Sequence, residues 1–225
     1  MKYTYYGHSC FLLEADGIKF LIDPFITPNP LAKYVNIEAI EADYILVSHG
    51  HGDHVADLVT LAAQTRAKVI GMVEVLEWAE KQGVTNTHAM NFGKQKFDFG
   101  TLRLVWATHS SSMPDGSYGG NPAGFVIETG GKTIYYAGDT SLNADMKLLT
   151  DLYKIDYAIL PIGGNFTMDV DDALVATDYI NCNQVIGVHY NTFPVIEIDT
   201  NEAIKKFKRE NKQLFLPVIG ETIEL

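Results

Sequence analysis

Cysteine is nearly missing from this 225-residue sequence. Cys10 and Cys182 are the two present, and they form neither a CxxC pair nor a disulfide framework, which fits a reducing compartment. No apolar run reaches the ~20 residues that span a bilayer. The opening Met1–His8 has no long apolar stretch before a cleavage-like site, so neither a membrane span nor a signal peptide is expected. Cations are scarce too: 17 lysines and arginines against 28 acidic residues leave a net charge of −11. Such a surface repels phosphate backbones and argues against general nucleic-acid binding. A small anionic substrate stays compatible, because positive charge inside a site can outweigh the global balance. Pro/Ser-rich linkers and low-complexity segments are absent, and 47% of the residues are hydrophobic, enough for one sizeable core. The expectation is one domain over residues 1–225, in the cytoplasm, acting on a small molecule, with no nucleic-acid or membrane partner. Self-association into a homo-oligomer is left open.

What is present is internal repetition. Phe11-Leu12-Leu13-Glu14 and Ile18–Ile22 flank Asp16-Gly17, a hairpin signal, and Phe125–Glu128 and Thr133–Tyr136 flank Gly130-Gly131 in the same way. Asp43–Val47 is matched by Asp156–Leu160, and Val69-Ile70-Gly71 by Val185-Ile186-Gly187. The offsets from Phe11 to Phe125, Asp43 to Asp156 and Ile70 to Ile186 are 114, 113 and 116. Three matches in one order at a nearly constant offset indicate a duplicated half. Helices are expected over Val73–Lys81, from a cap at Ser141 to about Tyr153, from Asp169 through Tyr179, and from a cap at Thr200 over Asn201–Arg209. Strands alternating with helices in two similar halves predict two sheets with helices on their outer faces.

The segment Ser48-His49-Gly50-His51-Gly52-Asp53-His54 follows the apolar strand Ile45-Leu46-Val47 and holds three of the chain's seven histidines. Imidazoles and a carboxylate this close suit zinc or a similar borderline cation. His49 and His51 can reach one metal, while Asp53 and His54, displaced by the turn, can serve a second. Gly50 and Gly52 keep bulky side chains away and permit an unusual backbone. Further candidates sit past the ends of other apolar strands: His109 after Leu102–Thr108, Asp139 after Ile134–Gly138, and His189 after Val185–Val188.

These segments, with GHSCFLLE, SHGHGDH, ATHS, YAGDTS and IGVHYNTFP spread over nearly the whole chain, resemble the metallo-β-lactamase superfamily. Pro161-Ile162-Gly163-Gly164-Asn165-Phe166-Thr167-Met168-Asp169 is similar to metal-dependent hydrolases related to ascorbate-phosphate lactonases. The resemblance implies an α/β fold, a four-layer αββα sandwich of two similar halves. It implies a first metal on His49, His51 and His109, a second on Asp53, His54 and His189, and Asp139 bridging both. Two divalent ions, zinc with manganese or iron as alternatives, are the implied cofactors. No added domain or long arm favours a tRNA-processing relative.

A dinuclear site of this kind hydrolyses a substrate through a metal-bridging hydroxide, because metal binding lowers the pKa of water to about 7. The bond is ester-like, as in a lactone or thioester. A small phosphodiester or cyclic nucleotide is the alternative substrate, and a metal-binding or redox sensor protein the non-enzymatic one. Asp53 is a ligand and a candidate proton shuttle. His8, in Gly7-His8-Ser9-Cys10, is a candidate for contacting substrate or supporting a ligand, or a structural histidine. His88 reads as an exposed turn residue. Asn165, Thr167 and Met168, in the loop that replaces the histidine motif in the second half, are candidates for touching substrate.

Overall fold

In the computed structural model, which describes residues 1–225, each of the two hairpins lies within a seven-stranded mixed sheet. The first half runs β1 (Lys2–Gly7), β2 (Cys10–Ala15), β3 (Ile18–Ile22), β4 (Tyr44–Val47), α1 (Gly52–Val55), α2 (Leu58–Thr65), β5 (Lys68–Met72), α3 (Val73–Lys81) and β6 (Thr87–Met90). The second runs β7 (Lys94–Phe97), β8 (Gly100–Trp106), β9 (Ala123–Thr129), β10 (Lys132–Tyr136), α4 (Leu149–Leu152), β11 (Tyr157–Pro161), α5 (Val170–Tyr179), β12 (Gln184–Val188), α6 (Thr200–Arg209), β13 (Gln213–Phe215) and β14 (Thr222–Glu224).

The sheet orders are β14-β1-β2-β3-β4-β5-β6 and β13-β12-β11-β10-β9-β8-β7. Strands β1–β6 therefore repeat as β8–β13, with three antiparallel strands followed by three parallel ones in each half. The repeat holds at single-residue register. Phe20 faces Tyr44 and Ile22 faces Leu46, as Ile134 faces Tyr157 and Tyr136 faces Ile159. This is the α/β sandwich of two similar halves that the sequence predicts.

Side-chain alternation explains the layers. Along β9 and β10, Phe125, Ile127, Ile134 and Tyr136 enter the core between the sheets, while Val126 and Tyr135 enter a second core with residues of α5 and α6. Phe11 of the first sheet meets Tyr136 of the second edge to face, with ring centroids 5.2 Å apart. Burying such a side chain stabilises by roughly 1.5–3 kcal/mol, so both sheets carry nearly continuous apolar strands. Helix α3 packs on β5 and β6, α5 on β11, and α6 on β13. No helix is long and apolar enough to cross a membrane.

Several local expectations shift. The segment expected as one helix from Ser141 is a 3-10 turn, Ala144–Leu148, capped by the Asn143 side chain, followed by α4. Asp199 rather than Thr200 caps α6, accepting from the backbone N–H groups of Asn201 and Glu202. Asp169 caps α5 as expected. His88 is no exposed turn residue: it lies half-buried in β6 with its ring against Phe97.

Candidate metal centre

The parallel strands β4 and β12 and the antiparallel strands β8 and β10 all end at one edge of the sandwich, and the loops leaving them converge there. His49 and His51 follow β4 directly. The short helix α1 then turns Asp53 and His54 toward a different direction. His109 follows β8, Asp139 follows β10 and His189 follows β12. All seven residues singled out in the sequence are thus neighbours. Two groups result: His49, His51 and His109 lie with their ligating atoms mutually within 4.8 Å, and so do His8, Asp53, His54 and His189, while Asp139 joins His49 and His54.

One carboxylate oxygen is the geometric centre. Asp139 Oδ2 lies 2.9 Å from His189 Nε2, 3.3 Å from His54 Nε2, 3.6 Å from His109 Nε2 and 4.0 Å from His49 Nε2. Ligand bonds of ~2.0–2.1 Å at tetrahedral angles set donor atoms ~3.3 Å apart, which is the scale of these separations. Three buried polar atoms here have no hydrogen-bond partner: His54 Nε2, Asp139 Oδ1 and His189 Nδ1. Orphaned buried groups are costly, and these belong to three residues that meet at the Asp139 carboxylate. His54 Nδ1 lies 2.9 Å from the Asp23 carboxylate, so it is a donor, and Nε2 faces Asp139 Oδ2 at 3.3 Å. In the metal-free protein a proton fills that gap, and a metal ion would take its place. The donor set therefore fits a metal centre.

Protonation follows from burial and from the carboxylates. Burial lowers the pKa of His49, His51 and His109, leaving neutral imidazoles with free lone pairs. Burial lowers that of His8 to about 4. Burial also opposes charge on His54, but Asp139 and Asp23 outweigh it and raise its pKa well above the usual histidine range. Burial works against ionising Asp139, and the imidazoles of His189 and His54 overcome it and lower its pKa. Asp53 is held low in the same way, by its hydrogen bond to His8 against burial.

Behind these residues stands a layer that the sequence reading passes over. Asp23, noted there only as the end of a strand, is fully buried. It accepts from Ser48 N at 2.7 Å, Ser48 Oγ at 2.6 Å and Tyr136 OH at 2.6 Å, besides the His54 contact. Tyr136 comes from the other sheet, so this carboxylate joins the halves and fixes the His54 ring. The missed signal is the repeat itself, since β3 and β10 are equivalent strands and an aspartate follows each, Asp23 directly and Asp139 three residues on. Thr192 is a second omission. Its hydroxyl lies 3.0 Å from His8 Nδ1, while His8 Nε2 lies 3.1 Å from Asp53 Oδ2. A threonine hydroxyl donating to Nδ1 leaves Nε2–H to donate to Asp53. His8 is therefore the partner of Asp53.

Strain gathers here. His8, Asp23 and His189 have φ of 56°, 46° and 54°, left-handed conformations costing on the order of 1 kcal/mol each for non-glycine residues. The His189 N–H donates to the His8 carbonyl at 2.9 Å, which ties two of them together. The glycines divide. A Cβ on Gly50 would lie 2.4 Å from Met113 Sδ and 3.2 Å from the Ser112 carbonyl, whereas one on Gly52 would meet nothing within 4 Å. Neither has a positive φ, so Gly50 serves close packing and Gly52 is not sterically required.

Of the loop residues expected to touch substrate, Asn165 is exposed, with φ 56°, and Thr167 is buried. Met168 corrects that expectation. Its side chain is fully buried in the core between the second sheet and its helices, and its N–H donates to the Thr140 carbonyl beside Asp139. It supports the Asp139 loop from behind and offers no surface to a ligand.

A two-sheet αββα sandwich with histidines and aspartates gathered at one edge defines the metallo-hydrolase class of this fold. Residues 2–189 match the model of the beta-lactamase superfamily domain. A metal-dependent hydrolase of Flavobacterium johnsoniae is 52% identical over 226 residues, covering both chains completely, and one of Methylacidiphilum infernorum is 48% identical, also end to end. The metallo hydrolase Igni18 from Ignicoccus hospitalis superposes with a TM-score of 0.89 at 36% identity, over 100% of this chain and 98% of that one. The chain belongs to the UPF0173 metal-dependent hydrolases of the beta-lactamase superfamily.

Proposed function

We propose that this metal-dependent hydrolase holds two divalent ions, zinc in the first instance with manganese or iron as alternatives. His49, His51 and His109 would hold one ion, Asp53, His54 and His189 the other, and Asp139 both. The observation that carries the reading is the convergence of four imidazole Nε2 atoms on Asp139 Oδ2, with orphaned atoms beside it. Ions so held supply a water activated near neutral pH and a Lewis acid for the substrate oxygen. The chain's own groups do the rest. Neutral His49, His51 and His109 present lone pairs, and Asp23 orients His54 through Nδ1. His8 donates to Asp53 Oδ2 and so aims the other oxygen of that carboxylate, which is a quarter exposed, at the reacting groups. From there Asp53 can carry a proton to the leaving group.

The substrate is a small molecule with an ester-like bond, such as a lactone or thioester, cleaved in the cytoplasm. The test is metal analysis with a hydrolysis screen over lactones, thioesters, phosphodiesters and β-lactams. Wild-type protein should approach two equivalents of metal, and Asp139→Ala should lose at least one together with most activity. A firm ceiling of one equivalent, or near-wild-type turnover of Asp139→Ala, would overturn the assignment.

A further inference from the structure

His8 has two sides. One ring nitrogen faces Asp53, and the other faces Thr192. On the Thr192 side lies a cleft of about 380 Å³, lined by 12 residues that include His8, Thr192, Tyr5, Tyr190, Leu216 and Ile219. Seven of the 12 are hydrophobic, and none is a lysine, arginine, aspartate or glutamate. The cleft therefore shares a wall with the catalytic cluster but none of its charge. Its walls are braced: the Tyr5 hydroxyl donates to the His8 carbonyl at 3.0 Å, and the Tyr5 and Tyr190 rings stack with centroids 6.4 Å apart. Exposed Val218 and Ile204 complete the rim.

We propose that this cleft receives the uncharged, apolar body of the substrate, so that the enzyme selects neutral esters, thioesters or lactones bearing an alkyl or aryl group over phosphorylated or carboxylated ones. The inference rests on the hydrolase reading and names its substrate class. Three arguments carry it. An anionic group placed here would lose its hydration with no cation to replace it. The cleft contains no lysine or arginine, the side chains that usually take phosphates and carboxylates. The volume is also right: an apolar cavity of about 150 Å³ accommodates benzene, so this cleft has room for an alkyl chain of about six to eight carbons. In the reaction, water's oxygen bonds to the acyl carbon, the acyl–oxygen or acyl–sulfur bond breaks, and the leaving alkoxide or thiolate takes a proton.

The experiment has a kinetic and a binding arm. With p-nitrophenyl esters from acetate to hexanoate, kcat/KM should rise by up to about fourfold per methylene, the transfer free energy of one buried CH₂. Val218→Asp and Ile204→Asp, both at exposed rim positions, should flatten that slope, lowering hexanoate turnover more than acetate turnover. Separately, methyl NMR shifts of Thr192, Ile204 and Ile219 should saturate with hexan-1-ol, and hexyl phosphate should leave them unmoved. Should no ester be hydrolysed while hexan-1-ol still shifts these methyls, the ester-substrate reading fails and the cleft stands as an apolar binding site. A flat chain-length series with hexan-1-ol shifts mapping elsewhere overturns the cleft assignment alone. Faster turnover of an ω-phosphorylated hexanoate ester than of the plain hexanoate also overturns it.

Discussion

Replacing Asp23 by Asn tests whether the residues behind the cluster set its metal affinity. The carboxylate is fully buried and receives four donors: Ser48 N, Ser48 Oγ, Tyr136 OH and His54 Nδ1. Three of them reach Oδ2 and one reaches Oδ1. An Asn placed with its carbonyl at the Oδ2 position turns its NH₂ against the Ser48 N–H. One bond is lost outright, and the remaining three no longer meet a charged acceptor. Hydrogen bonds to charged groups contribute about 1.5–3 kcal/mol each, against about 1 for neutral ones. Breaking a buried charge pair by removing one partner costs about 3–5 kcal/mol, and that is the destabilisation expected of the metal-free protein. Against a typical total of about 5–15 kcal/mol, the variant folds but melts early. Freed from Asp23, His54 can turn or change tautomer, and outer partners of this kind are worth about 10–100-fold in metal affinity. Competition titration against a chromophoric chelator reads the affinity of each site, and thermal unfolding reads stability. Tyr136→Phe, which removes one donor and keeps the charge, should cost about 1 kcal/mol and less than tenfold in affinity. It supplies the measurement if Asp23→Asn does not accumulate. Affinity within twofold of wild type at both sites in Asp23→Asn, with an unchanged Tm, would refute the reasoning.

The remaining predictions concern protons, backbone fit and surface charge. His54 is charged in the metal-free protein because Asp139 and Asp23 overcome its burial, so metal binding at pH 7 should release about one proton from it, measured by calorimetry in buffers of different ionisation enthalpy; zero release would contradict the proposed ligand. His8 is lowered to about 4 by burial, so the unfolded chain binds the extra proton first and stability falls as pH drops from about 6.5 toward 4, by on the order of 3 kcal/mol over that window; denaturant titrations of His8→Asn should show a flatter acid limb. Gly163→Ala would place a Cβ 2.2 Å from the His189 carbonyl and should weaken the site holding His189 with little change at the His49 site, whereas Gly52→Ala should be silent where Gly50→Ala is not. With a net charge of −11, the protein should show no tRNA binding at physiological salt; micromolar, steeply salt-dependent binding in a mobility-shift assay would contradict the small-molecule reading.

The sequence exposes the strands and the primary cluster because both obey short-range rules. Apolar runs of four to seven residues mark β4, β8, β10 and β12, and each ends within a few residues of a histidine or aspartate. What stays hidden depends on long-range packing. Asp23 and Tyr136 are 113 residues apart, and nothing local in either says that they touch. Met168 reads as a substrate-facing residue because its loop stands where the first half carries the histidine motif, yet the chain turns it inward beneath Thr140. Helix α1 has four residues, a glycine and a histidine among them, and α2 has eight, too few in either for a 3.6-residue period to emerge.

The duplication explains why one aspartate faces the cluster and the other supports it. By strand order β1 is equivalent to β8, and β3 to β10. Each half therefore supplies a similar pair at the same edge: a histidine after its first strand, His8 or His109, and an aspartate after its third, Asp23 or Asp139, with both residues of the second half two positions further from the strand end. The halves differ at the fourth strand. After β4 the chain continues as Ser48–His54, while after β11 it continues as Ile162-Gly163-Gly164-Asn165 with no ligating side chain. The histidine-rich loop occupies the edge of its own sheet, and its His54 ring stands between Asp23 and Asp139. Asp23 then meets the back of that loop, Ser48 and Nδ1 of His54, and Asp139 meets its front, Nε2 of His49 and His54. His8 is likewise held off and contacts Asp53, whereas His109 joins His49 and His51 directly. One set of strand ends thus presents groups to the cluster, and its duplicate orients them. Asp139→Asn should accordingly remove metal, while Asp23→Asn should leave the ligands in place and weaken their hold.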